Sequence, residues 1–240
     1  YPGNDLAYLL KYDQSNEAKQ YVCFMKFMLH FLAGDEEQCK MEYENSLDLM
    51  LTDENKSLNA SFHFMTQIIY QSVYEKKVDS HVLKEVYRIS GKLLQNGTQN
   101  RADSPDFEFT VIFSLNYGKM NREIIDLANY IFENYDFDKS KPTYLTILFL
   151  AVYAKALLEM GEAPKALESY NLVKLKNVYL PVNVKYFVKL RLMLIKTEFL
   201  IYKGKLKKAR QKLERIKYIS QMLKFNYFYN NALDIEKTIL

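Results

Sequence analysis

The residue types that could carry chemistry are few in this chain and do not gather. Two cysteines, Cys23 and Cys39, and three histidines, His30, His63 and His81, are spread over residues 23–81 of 240. Zinc takes about four clustered thiolate or imidazole ligands. Neither a CxxC pair nor a His pair is present, so no metal site is expected. Both cysteines fall on apolar stripes and read as reduced core residues of a reducing compartment. No Ser-His-Asp or Cys-His arrangement has a local motif, and the glycines never gather into a phosphate loop. The acidic run Asp35-Glu36-Glu37 reads as negative charge in the first turn of a helix, where the backbone dipole favours it. The Asn-x-Ser/Thr triplets at Asn55, Asn59 and Asn96 read as chance. These residues predict no catalytic group, no cofactor and no enzyme.

Charge is the stronger chemical signal. The net charge of +4 divides into −8 over residues 1–173 and +12 over residues 174–240. The densest part is Lys203, Lys205, Lys207, Lys208, Arg210, Lys212, Arg215 and Lys217. Four readings stand for this basic patch: a solvated helix face, a surface for an acidic protein, head-to-tail association of the acidic and basic ends, and nucleic acid. Nucleic-acid binding calls for stacking aromatics beside it. Tyr218, Phe225, Tyr227, Phe228 and Tyr229 follow, but their spacing fits a capping helix equally well.

The elements that must position these residues are helices. With 7 Gly and 5 Pro, the chain is too poor in breakers for a turn-rich β fold. Tyr21, Phe24, Met25, Met28, Phe31 and Leu32 recur at three and four, as do Leu145, Leu148, Val152 and Ala156. That is the stripe of a helix burying one face. Pro105, Pro142, Pro164 and Pro181 open apolar-periodic segments, as proline does in a first helical turn. No apolar run approaches the roughly 18 residues of a membrane span, so no membrane partner is expected. The chain opens without an initiator Met or a signal-peptide pattern, which reads as a piece of a longer protein.

A period organises the helices. Gly118, Gly161 and Gly204 are 43 residues apart, and further breaks fall at Glu75 and Gly34. Each glycine suits a tight reversal between antiparallel helices, because it tolerates positive φ. Five residues after Gly34, Gly161 and Gly204 stand the small residues Cys39, Ala166 and Ala209. Nine after stand the large residues Tyr43, Tyr170 and Leu213. The spacing predicts an N-terminal helix near 5–12 and five hairpins, over about 17–51, 58–95, 105–135, 142–175 and 181–220. A capping helix over about 224–239 follows. The whole is expected to be a single all-α domain.

The stretches Gly34–Tyr43, Gly161–Tyr170 and Gly204–Leu213 resemble the turn and second helix of the tetratricopeptide-repeat superfamily. The period of about 43 exceeds the family's 34, the family's Trp is absent, and Glu123 occupies the small position after Gly118. The resemblance is to a degenerate, elongated repeat. It implies a right-handed superhelix in which the first helix of each hairpin lines a concave face that grips a peptide or protein segment. The groove residues carried over are Phe24, Met28 and Phe31 in the first unit, Met65 and Ile69 in the second and Asn116 in the third. Lys155 and Glu159 follow in the fourth, and Arg191, Glu198 and Tyr202 in the fifth. One end of such a groove is hydrophobic and the other charged. It would suit a short peptide with apolar side chains and a carboxylate or backbone to anchor.

The Lys-, Asn-, Tyr- and Ile-rich, Trp-free composition is similar to that of the repeat domains of peptide-pheromone-responsive bacterial transcription regulators, of the Rgg and PlcR type. That resemblance implies a cytoplasmic ligand-sensing and dimerisation domain used in quorum sensing. DNA would be bound only through a separate helix-turn-helix domain absent from this chain. The alternative is a protein-interaction scaffold or chaperone-like assembly factor.

Overall fold

In the computed structural model, residues 13–49, 57–95, 105–135, 143–173 and 185–239 are described. They are helical throughout, with no strand among them. The helices are α1 (Asn16–Ala33), α2 (Glu36–Leu47), α3 (Ser57–Tyr70), α4 (Ser80–Gln95), α5 (Asp106–Tyr117) and α6 (Asn121–Asn134). They continue with α7 (Tyr144–Glu159), α8 (Ala163–Asn171), α9 (Lys185–Tyr202), α10 (Leu206–Leu223) and α11 (Asn226–Lys237). A π-helical turn, Gln71–Glu75, extends α3. The pairs α1–α2, α3–α4, α5–α6, α7–α8 and α9–α10 are the five expected hairpins, and α11 is the expected last helix. The helix expected near residues 5–12 lies outside the described residues, as do Pro142 and Pro181. Pro164 stands in the first turn of α8, as expected. Pro105 instead caps α5, its carbonyl accepting from the Phe109 N–H at 2.9 Å.

One backbone event repeats at every hairpin. A residue with left-handed φ ends each first helix: Gly34 (+82°), Lys76 (+57°), Lys119 (+58°), Gly161 (+84°) and Gly204 (+66°). These positions are 42 or 43 residues apart. In three of the turns an N–H reaches back five residues, from Met120 to Leu115 (3.2 Å), Glu162 to Leu157 (2.8 Å) and Lys205 to Leu200 (2.8 Å). This closes the orphan carbonyls of the helix end in the Schellman manner.

Gly118 corrects one expectation. Its φ is −90°, and the left-handed residue is its neighbour Lys119. Gly118 is needed for another reason: a Cβ there would stand 2.3 Å from Ser72 Cβ and 2.7 Å from the Ser72 carbonyl carbon. The turn of the third hairpin lies against the π turn of the second, too close for any side chain.

The small-then-large pattern after the turns has a packing role. Cys39, Ala166 and Ala209 are fully buried. Tyr43 stacks on Tyr70 of α3 at 4.2 Å between ring centroids, and Tyr170 stacks on Phe199 of α9 at 4.1 Å. In both cases a second helix grips the first helix of the next hairpin with the same residue of the repeat.

The chain read as one domain divides into two compact units. One comprises residues 1–30 and 36–140, the other residues 31–35 and 141–240. In the first, α2 packs on α3, α3 on α4 and α5, and α5 on α4 and α6. In the second, α7 packs on α8 and α9, and α9 on α10 and α11. First helices form the interior: α5 and α7 are buried on nearly every side. Second helices bury a single stripe, as α10 does with Ala209, Leu213, Ile216 and Ser220. The second unit centres on Leu190, Met193, Leu194, Leu213, Ile216, Phe228 and Ala232. The turn 31–35 joins it because Phe31 packs on Tyr227 at 4.8 Å and Asn226 donates to the Ala33 carbonyl at 2.8 Å.

Gly161→Ala and Gly204→Ala meet no neighbour within 4 Å, and their cost is the strain of a Cβ at positive φ. Each should cost about 1–2 kcal/mol in urea unfolding. Gly118→Ala should cost about 3 kcal/mol through overpacking. Lys119→Gly should raise stability by about 0.5 kcal/mol, the relief of a left-handed Cβ less the entropy of glycine.

Candidate ligand-binding face

The groove residues of the fourth and fifth hairpins come together. Lys155 and Glu159 are one turn apart on α7, with Nζ 2.7 Å from the Glu159 carboxylate. Lys155 Nζ also stands 3.4 Å from Glu198 of α9. All three lie in the C-terminal halves of their helices, and α7 packs against α9. Arg191, a turn or two earlier on α9, lies over the rings of Tyr227 and Phe228, 5.6 Å from each centroid. A cation facing an aromatic ring gains from the ring quadrupole, the more so when water is excluded.

The cluster balances two cations against two carboxylates. Lys155 is 8% exposed and Arg191 7%. Burial acts against the Lys155 charge, but Glu198 and Glu159 outweigh it and hold its ammonium above the ordinary lysine value. The cations form the floor. Glu159 and Tyr202, the latter 53% exposed, reach solvent, whereas Glu198 is half-buried with its Oε2 inside.

The remaining groove residues are placed differently. Phe24, Met28, Met65, Ile69 and Asn116 belong to the first unit, whereas Phe31 belongs to the second. Phe24, Phe31, Ile69, Asn116, Lys155 and Arg191 are buried by the chain itself. The open lining expected of them is corrected for a physical reason: these first helices are covered on several sides. Phe24 stacks on Phe62 at 5.1 Å, and Phe31 on Tyr227. Met28 and Met65 remain half-buried.

The basic patch also divides. Lys217 is neutralised by Glu214 at 2.6 Å and by Glu236 of α11 at 3.0 Å. Arg210 donates to the Ile239 carbonyl at 3.0 Å. Lys203 and Lys207 are exposed. Lys205, Lys208, Lys212 and Arg215 line a concavity between α9 and α10.

The two cysteines are held as core, whereas His81 is exposed. Cys23 and Cys39 are buried free thiols. The Cys23 thiol donates to the Glu42 carbonyl at 3.0 Å, and burial with the nearby Glu42 pushes its pKa up to about 12. A thiol so raised is a poor nucleophile. Among the described residues no group of three His, Cys, Asp or Glu could hold a metal ion, and no helix is long and apolar enough to cross a membrane. Sequence reasoning missed two buried carboxylates, Glu42 of α2 and Glu108 of α5, the latter accepting from the Tyr135 hydroxyl at 2.6 Å. Burial raises the Glu108 pKa despite that bond. Nothing in its apolar surroundings in the sequence distinguishes it from a surface glutamate.

The chain matches no family model, no curated protein and no solved structure.

Removing Lys155 takes away the buried cation that Glu159 and Glu198 share. Lys155→Met should cost about 3 kcal/mol in chemical unfolding, and adding Glu198→Gln should recover part of the loss. His63 supplies the pH dependence. Its Nε2 stands 2.7 Å from Gln67 Nε2, and burial lowers its pKa from 6.5 to about 4. The unfolded chain therefore takes up a proton that the folded chain refuses. Stability should be complete above pH 6.5 and fall by about 3 kcal/mol between there and pH 4. His63→Gln should remove that part of the acid sensitivity.

Proposed function

We propose that this chain is a binding module without catalytic activity, and that it holds a short peptide or a segment of another protein. The observation that supports this most is the face formed by α7 and α9. Two first helices pack together and present Glu159 and Tyr202, with half-buried Glu198 beside them, over a buried pair of cations. Ion pairs set the positions of both carboxylates in advance, which lowers the cost of ordering them around a ligand. The groups that reach solvent are acceptors and an aromatic ring. They suit an amino terminus or backbone N–H groups together with an apolar side chain. Partly exposed Met28 and Met65 in the first unit offer adaptable apolar contacts of the sort that tolerate varied partners.

Within that class, the resemblance to pheromone-responsive regulators favours the ligand-sensing and dimerisation domain of a cytoplasmic bacterial transcription regulator. A helix-turn-helix encoded in the same gene is the feature that reading requires. Its absence from the full gene product would reject the regulator and leave the binding module.

Thermal shift against a pool of short apolar peptides with free amino termini tests the module. A saturable rise in melting temperature is expected. Tyr202→Ala and Glu159→Gln should each weaken binding about tenfold, the worth of one charged hydrogen bond or anchoring ring. A shift unchanged by both variants would place the ligand elsewhere. No shift with any peptide would reject the reading.

A further inference from the structure

The cleft between α9 and α10 is a second and separate feature. It measures about 440 Å³ and is lined by Lys196 and Leu200 of α9 with Lys205, Lys208, Gln211, Lys212 and Arg215 of the turn and α10. Five cations and no carboxylate face this space. Positions 205, 208, 212 and 215 recur at three and four, which puts them on one side of α10. Lys196 and Leu200, four apart, form the opposing wall.

Lys217 of the same helix differs from these cations. Glu214 is taken by Lys217, with Glu236 of α11 closing the same pair. None of the five cleft cations makes an ion pair among the described residues. Like charges crowded together raise each other's energy, and an anion between them relieves it. Lys212 registers the strain. Burial lowers its pKa first, and the neighbouring Lys196 and Arg215 lower it further.

We propose that this cleft is a binding site for a small anion carrying two or more phosphate groups. Its volume falls in the range of small-molecule sites, about 300–1,000 Å³. Its cations converge from two helices on one concavity, where a compact polyanion meets several at once. A guanidinium fits two phosphate oxygens at a time, and lysines supply point charges around it. Gln211 adds a neutral donor, and Leu200 gives an apolar wall for the body of the ligand. Nucleic acid is less favoured, because no aromatic ring lines the cleft for base stacking. The site owes nothing to the peptide-binding face: the two share no residue.

Calorimetric titration of the whole chain with inorganic triphosphate tests the proposal. Saturable one-to-one binding is expected, weakening as salt rises. Lys208→Gln and Lys212→Gln should each lower affinity about tenfold. Lys207→Gln removes the same charge from the same helix outside the cleft, and should change affinity less than about twofold if charge at a distance is screened. Melting curves of the three variants check that each is folded. Four results would overturn the site: no saturable binding, equal losses from Lys207→Gln and Lys208→Gln, monophosphate binding as tightly as triphosphate, or an oligonucleotide or acidic peptide displacing triphosphate at lower concentration.

Discussion

A residue of left-handed backbone conformation at the end of every first helix is the constraint on which the rest of this structure depends. It turns the chain back within a few residues, so that two helices leave the turn antiparallel and in contact. After Lys119, Gly161 and Gly204 the next helix begins two residues later, in the same register each time. That register buries Ala166 and Ala209 completely. It carries Tyr170 to the first helix of the next hairpin. A shift of one residue would rotate each second helix by about 100° and expose its buried stripe.

Much of this was legible beforehand, because glycine at positive φ is common enough to be guessed. Gly34, Gly161 and Gly204 behave as their type suggests. Lys76 and Lys119 were not legible. A side chain can occupy the left-handed region for about 1–2 kcal/mol, and surrounding packing covers that cost without leaving a mark in the sequence. Gly118 is the converse. It stood in the right place for a turn, yet its conformation is one that any residue adopts, and it is kept small by Ser72, 46 residues earlier in the chain. Such a contact has no local pattern.

The binding face was half legible for a related reason. Helical periodicity identifies a stripe, but α5 and α7 are apolar almost all round, so periodicity does not say which side stays open. Phe24, Ile69 and Asn116 are correct as first-helix residues and are nevertheless interior. Lys155, Glu159 and Glu198 are different, because charged side chains placed on neighbouring inner helices must find one another. The basic C-terminal run was read as one patch because a sequence lists charge in one dimension. Folding adds Lys196 to one side of it and Glu236 to the other, and these two residues divide it into a charged cleft and a neutralised seam.

The contact between α11 and the turn after α1 also bears on how the chain folds. In an open repeat array each unit touches only its neighbours, and order can spread from any point. Here Asn226 bonds to Ala33, 193 residues away in sequence. The two groups that must meet are made 193 residues apart in synthesis. Until α11 is made, Phe31 and Leu32 lack the Tyr227 ring and the second unit's core that cover them in the folded chain. Closing so long a loop costs only a little more entropy than closing a short one, but it comes late. The interval in which they lack that cover is set by the rate of translation rather than by the stability of the hairpin, and during it the nascent chain depends on other means to keep them from associating.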